Sequence, residues 1–216
     1  MRTTGIVVAL IFAGALFMPG NARCDELSES YYPLKEGMRW EYNVTTDHGQ
    51  PQKLIITNLA PREVNGVKVT PRKWEIGGRA FIELMEKTDA GIYRFAEQSA
   101  ENSPPTIVTP KECHLKFPIT GRDSWNMTTK VGNSSLNVSL TIESVADEVK
   151  VPAGTFKDCL KIRQVGENDA GVAVLGHEWS APKVGVVKST VIIKTKTKEG
   201  TISSESRTYE LQSFRP

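Results

Sequence analysis

Nearly every pattern that announces an enzyme is missing from this 216-residue chain. It has no HExxH, no CxxC and no pair of histidines at metal-ligand spacing, and no G-x-S-x-G. Only three histidines occur. His48 lies in a polar turn (Thr46-Asp47-His48-Gly49), the setting of a solvated loop residue. His114 directly follows Cys113, so on a strand the two side chains point to opposite faces and do not share an ion. His177 precedes Glu178 and Trp179 with no second histidine at ligand spacing. A zinc site from Cys113, Cys159 and His177 would therefore have to be assembled by folding alone, and no metal or cofactor is expected. Ser124 beside Asp123 is a turn pair without the geometry of a triad. Two carboxylates for glycoside chemistry would be paired by space rather than by sequence. The absences point to a non-enzymatic protein.

Long apolar runs are missing as well, apart from one at the N-terminus. Arg2 supplies a positive start, Ile6 to Phe17 an apolar stretch, and Pro19-Gly20 a break before small residues, the layout of a cleaved signal peptide over residues 1–24. Cleavage fits after Ala22 or after Cys24. Cys24 would be the acylated residue of a lipoprotein, although Arg23 stands where a small residue is required. No transmembrane span is expected in the mature chain, which is placed in the periplasm or secreted.

Net charge is missing too. Loss of Arg2 and Arg23 takes Lys+Arg from 27 to 25, equal to the 25 Asp+Glu. Neutrality gives no reason to expect a nucleic acid partner. Cysteine is scarce, three in all. With Cys24 set aside, Cys113 and Cys159 form a candidate disulfide in an oxidising compartment, the alternative being two separate buried thiols.

Helical periodicity is nearly absent. Instead, period-two alternation rich in Val, Ile, Thr and aromatics runs between Gly, Pro, Asn and Asp clusters. Leu136, Val138, Leu140 and Ile142 point one way and Asn137, Ser139 and Thr141 the other, which makes a half-buried strand. Further strands are predicted at Trp40–Val44, Leu54–Thr57, Val67–Val69, Phe81–Met85, Gly91–Phe95, Trp125–Thr129, Cys159–Val165, Val172–Trp179 and Val186–Lys196, with a last strand at Thr208–Phe214. The order of elements occurs twice. Tyr32-Pro33-Leu34, then Trp40 and Tyr42, is echoed by Phe117-Pro118-Ile119, then Trp125 and Met127, with the same Pro-to-Trp spacing. The halves span about 30–97 and 111–196. A polar connector, 98–110, separates them, because Pro104-Pro105 cannot sit inside a central strand. Five strands with one apolar face need a cover, so both halves belong to a single β domain, 25–216: one strongly curved antiparallel sheet, a half-barrel or open barrel.

Trp40 and Trp125 recur at one structural position, which reads first as core packing and second as an aromatic ligand lining. Trp74 and Trp179 carry the same pair of readings. Lys194, Lys196 and Lys198 alternate with threonines on one strand face. They would attract an anionic lipid or acidic partner, or, more plainly, protect an exposed strand from edge pairing. Asn43, Asn126, Asn133 and Asn137 match the glycosylation pattern, which matters only in a eukaryotic secretory pathway.

Three stretches are familiar in a wider setting. They are Tyr31-Tyr32-Pro33-Leu34-Lys35-Glu36-Gly37-Met38-Arg39-Trp40-Glu41-Tyr42, Val151-Pro152-Ala153-Gly154-Thr155-Phe156-Lys157-Asp158-Cys159 and Glu178-Trp179-Ser180-Ala181-Pro182-Lys183-Val184-Gly185-Val186-Val187-Lys188. Together they resemble the TapB-like group of exported bacterial β-rich proteins, a domain of unknown function, and the resemblance covers nearly all of the mature chain. Ser180-Ala181-Pro182-Lys183 departs from the pattern, which has an aromatic and a glycine there. The resemblance implies a strongly bent antiparallel sheet, similar in outline to the half-barrels of lipoprotein-carrier proteins, and brings no catalytic residues.

The expectation is a cell-envelope binding or carrier module using the concave face of its sheet, with a lipid, a hydrophobic peptide or an envelope protein as partner. The alternatives are a structural subunit of an envelope assembly and, behind it, a hydrolase.

Overall fold

In a computed structural model of the protein, residues 28–131, 134–168, 170–196 and 202–216 are described. The predicted signal peptide, Cys24, Asn133 and Lys198 lie outside them. The elements are β1 (Arg39–Thr46), β2 (Gln52–Asn58), β3 (Arg62–Val64), β4 (Val67–Ile76), β5 (Arg79–Thr88), β6 (Gly91–Gln98), β7 (Thr106–Lys116), β8 (Ser124–Val131), β9 (Ser134–Val151), β10 (Gly154–Glu167), β11 (Val172–Ala181), β12 (Gly185–Lys196) and β13 (Ile202–Arg215).

All of them belong to one antiparallel sheet in the order β7-β6-β5-β4-β2-β1-β13-β12-β11-β10-β9-β8, with the short β3 paired to β4 off that path. The first strand pairs with the last over Arg39↔Arg215 to Thr46↔Arg207. The sheet therefore curls nearly into a barrel, as the alternation predicted. Its one unpaired seam falls between β7 and β8, which are neighbours in sequence. Across that seam the Trp125 indole Nε1 donates to the Cys113 carbonyl at 2.8 Å. A side chain thus does the work of a missing backbone ladder.

Alternation decides what faces inward. On β9, Leu136, Val138, Leu140 and Ile142 are buried while Asn137 and Ser139 are exposed. Register carries this inward row around the wall: Leu140 opposes Trp125 and Gln164, Ile162 opposes Glu178, and Glu178 opposes Ser189. Ser189 opposes Tyr209, and beyond it Tyr42 opposes Leu54 and Arg72 opposes Glu83. One cluster sits on the other face of the sheet. Ile82 and Leu84 alternate with Glu83 and pack with Val69, Phe95 and Ala96 beneath Leu59, Val64 and Val67.

Twelve strands around one axis enclose more space than side chains fill, since about eight already give an interior just wide enough. Residues 28–38 take up part of the surplus as a plug across one end. Tyr31 and Tyr32 are buried in the inner core. The Tyr31 hydroxyl donates to the Asp158 carbonyl at 3.0 Å, the Lys183 amide to the Ser30 carbonyl at 2.8 Å, and the Ile119 amide to Ser28 Oγ at 3.2 Å. Asn58, 1% exposed at the end of β2, holds the Pro33 and Lys35 carbonyls through Nδ2, each at 3.1 Å. Gly185 has φ +85°, and a Cβ there would stand 3.1 Å from Pro33 Cδ, so glycine both makes the turn into β12 and lets the plug seat. Gly91 has a stricter reason: a Cβ would meet the Leu115 carbonyl oxygen at 2.2 Å.

Three expectations need adjustment. In the 98–110 stretch only the loop from 99 to 105 lies outside strands, because Thr106–Pro110 already belongs to β7. The halves thus meet at the seam, with β1–β7 on one side and β8–β13 on the other. Lys194 and Lys196 do not guard an edge, since β12 is paired on both sides, with β11 and β13.

The third adjustment is the disulfide: Cys113 and Cys159 are free. Two strands intervene between β7 and β10, a separation of about 14 Å at roughly 4.8 Å per strand, whereas a disulfide needs Cα atoms within about 7 Å. Their side chains also lie in different surroundings. Cys113 is partly buried against the cluster of Tyr31, Leu115 and Trp125, whereas Cys159 is wholly buried in the core around Trp40. Burial pushes the Cys159 thiol up to about 11. A thiol reagent should leave Cys159 unmodified in the native protein and label it on unfolding, which peptide mapping would read. Recovery of a Cys113–Cys159 cross-linked peptide without reductant would contradict this arrangement.

Candidate functional site

Above the plug the interior stays open as a cavity of about 320 Å³. Tyr32 and Pro33 of the plug form part of its wall. Trp40 and Tyr42 of β1, Leu54 and Ile56 of β2, and Trp74 of β4 give it an aromatic and aliphatic side. Glu178, Gln164, Ser189, His114 and Tyr209 bring polar atoms from the other strands. Trp74 stacks on Phe81 (centroids 5.6 Å apart), and Phe81 is 38% exposed, which marks the unplugged end.

The four tryptophans divide by what their N–H groups meet. Trp40, 3% exposed, donates to the Val184 carbonyl at 2.6 Å, and Trp74 to Glu83 Oε2 at 2.9 Å. Both line the cavity. Trp125 is packed in the inner core against Leu136, Leu140 and Ile162. Trp179 alternates with the inward Glu178 and packs, half-buried, against the cluster that holds Trp40 and Cys159; it donates to Asp147 Oδ2 at 3.1 Å, with Lys161 Nζ 5.6 Å from its ring. The sequence thus put the two lining tryptophans and the two others in one group. Position around the wall separated them: Trp125 lies in the packed core beside the seam, and Trp179 alternates with the cavity-lining Glu178 on β11.

Sequence reasoning missed the charged groups inside the barrel. Arg72, 6% exposed, donates through Nε to Asn58 Oδ1 at 3.0 Å and through Nη2 to the Pro33 carbonyl at 2.9 Å. Its guanidinium lies 4.3 Å from the Tyr32 ring centroid and 5.2 Å from that of Trp40. This cation is built into the cavity floor, held by neutral oxygens and ring faces. Arg94 bridges two buried carboxylates, Glu83 at 3.2 Å and Glu112 at 2.7 Å. Burial pushes the Glu112 carboxyl up, but His114 and Arg94 outweigh it and hold the group below the ordinary carboxylate range. The only available signal was alternation: Arg72, Glu83 and Arg94 fall at inward positions of strands whose neighbours are apolar. Such charges are retained when paired or saturated with hydrogen bonds.

Glu178 is different. No hydrogen bond or ion pair within 4 Å engages its carboxyl among the described residues. The accessible area it retains faces the cavity, deep inside the barrel. Burial raises its pKa, and the charges of His114 and Arg72 offset this in part. His177, one residue earlier, faces outward and lies 3.4 Å from Glu143. His114 lines the cavity with Nε2 3.8 Å from Glu112 Oε2, too long for a hydrogen bond. The described residues contain no cluster of three or more His, Cys, Asp or Glu able to hold a metal ion. None of their helices is long and apolar enough to cross a membrane.

No protein-family profile matches the chain, and no curated protein does. Two solved structures are similar in outline. One is a Bacteroides fragilis protein of YmcC-like fold, assigned to export, at 17% identity and TM-score 0.46, covering 86% of this chain and 99% of its own. The other is a Parabacteroides distasonis protein assigned as a lipoprotein, at 13% identity and TM-score 0.41, covering 86% and 98%.

Proposed function

We propose that this chain is an exported, non-enzymatic binding or carrier module of the bacterial cell envelope, of the TapB-like kind, whose site is the interior cavity. The observation that carries the reading is the cavity itself. A barrel that spends a buried plug and a saturated arginine to close one end still leaves about 320 Å³ open beside Trp40, Tyr42 and Trp74. That volume is at the low end of the roughly 300–1,000 Å³ typical of small-molecule sites, which are mostly apolar with a few placed polar groups. It suits one small amphiphile and is too small for a two-chain lipid or a folded peptide segment.

Catalysis by paired carboxylates has no support in the lining. Glu83 and Glu178 both reach the cavity, but both oxygens of Glu83 are occupied, Oε2 by Trp74 and Oε1 by Arg94. One free carboxyl does not make an acid/base pair.

The uncharged fluorophore N-phenyl-1-naphthylamine tests the reading. Saturable 1:1 binding with enhanced emission is expected for the wild type. A Ser189→Trp variant, which fills the cavity from β12, should keep its thermal unfolding transition and lose at least tenfold in affinity, since a ring of that size takes most of the free space. A wild type that gives no saturable signal would remove the cavity-binding reading.

A further inference from the structure

The polar chemistry inside the barrel is one cation short. Arg72 and Arg94 supply two positive charges, with His114 adding a third only when protonated, while Glu83, Glu112 and Glu178 supply three negative ones when ionised. Arg94 contacts both Glu83 and Glu112 directly, at 3.2 and 2.7 Å. Arg72 is committed elsewhere, to Asn58, Pro33 and the rings of Tyr32 and Trp40. What remains unanswered is the Glu178 carboxyl, on the cavity wall with Ile162 and Ser189 as its cross-strand neighbours. Around the same space stand the rings of Trp40, Tyr42, Trp74 and Tyr209, with Trp40 also meeting Arg72 and Trp74 stacked on Phe81. A carboxylate and aromatic rings share one electrostatic preference, because both attract a positively charged nitrogen.

We propose that the cavity takes a small amphiphile bearing a protonated amine, with the ammonium paired to Glu178 and the apolar body laid against Trp40, Tyr42, Leu54 and Ile56. This rests on the cavity-binding reading above and adds the headgroup chemistry. An anionic head is disfavoured, since the arginine that would receive it is already bonded into the floor. A neutral head would leave the carboxyl unpaired.

Protons should move with the ligand. The groups that face Glu178 are Arg72 on β4, His114 on β7, Tyr32 in the plug and Tyr42 on β1. Burial favours the protonated carboxyl in the empty cavity. An ammonium favours the carboxylate, so binding displaces a proton and affinity rises with pH until Glu178 is ionised beforehand. The unliganded protein has the opposite slope. A carboxyl whose folded pKa is raised contributes stability below its unfolded pKa and loses it as pH rises through the folded value.

The test compares octylammonium, 1-octanol and octanoate by isothermal titration calorimetry on the wild type and on Glu178→Gln, in two buffers of different ionisation enthalpy. Octylammonium should bind roughly tenfold or more tighter than the other two, as a charge-assisted pair in a desolvated site does, and should release protons. Glu178→Gln should abolish the preference and the proton release while 1-octanol binding stays within about twofold. Its thermal unfolding should show less loss of stability between mildly acidic and neutral pH, which certifies that the variant folds. Equal affinities for octylammonium and 1-octanol, tighter binding of octanoate, or an unchanged preference in Glu178→Gln would each overturn the headgroup assignment and leave the cavity reading standing. If none of the three binds or displaces N-phenyl-1-naphthylamine, both readings fall.

Discussion

Arg94→Met should destabilise the protein by about 3–5 kcal/mol at neutral pH, the cost of breaking a buried ion pair from one side. Glu83 and Glu112 are 5% and 4% exposed, and both rely on this guanidinium. Methionine replaces most of the stem and none of the charge, so the loss is electrostatic rather than a cavity effect.

The pH dependence identifies the cause. In the wild type the Glu112 carboxyl is held low, so its contribution is present above the unfolded carboxylate range and lost as pH falls through the lowered folded value. Without Arg94 the carboxyl keeps its burial and His114 but loses one of the two groups that hold it low, so its folded value rises. The variant's deficit should therefore be smaller near pH 5 than at pH 7. Urea unfolding at the two pH values reads the effect. A deficit below about 1 kcal/mol, or one independent of pH, would show that Arg94 is effectively solvated.

Trp40→Ala should cost a similar 3–5 kcal/mol, in the range for deleting a buried tryptophan. The indole is 3% exposed, donates to the Val184 carbonyl at 2.6 Å, and gives one ring face to Arg72. Its removal merges new space with the existing cavity, so neighbours have little to collapse onto. Trp40→Phe keeps most of the packing and leaves the buried Val184 carbonyl without this donor, for about 1–3 kcal/mol. Trp179→Ala is the comparison: its ring is only half-buried at the margin of the same cluster, so its loss should fall below that of Trp40→Ala. Chemical denaturation of the three variants gives the ranking, and equal losses at Trp40 and Trp179 would contradict the difference in burial between the two rings.

The two paired tryptophans show how much was legible beforehand. Trp40 and Trp125 head β1 and β8, each the second residue of its strand, and each sends its N–H to a distant backbone carbonyl, Trp40 to the turn before β12 and Trp125 to β7. Their equal spacing from Pro33 and Pro118 exposed the repeat. It could not say that one borders a cavity and the other a packed core. The Cys113/Cys159 pairing failed for a related reason: parity in a chain says nothing of the two strands that separate β7 from β10.

Sequence by itself determined what depends on short-range chemistry: strands from alternation, turns from glycine, proline and asparagine, and a single curved sheet from the need to cover one apolar face. Those rules act over a few residues and survive any arrangement of the rest. The tertiary structure decided which distant residues share the interior. Closure of β1 on β13 places Glu178 across from residues more than a hundred positions earlier, the plug recruits Arg72 into the floor, and the pairing of β5, β6 and β7 sets Arg94 between two carboxylates. Charge pairing and cavity formation depend on those through-space distances, and only the closed barrel fixes them.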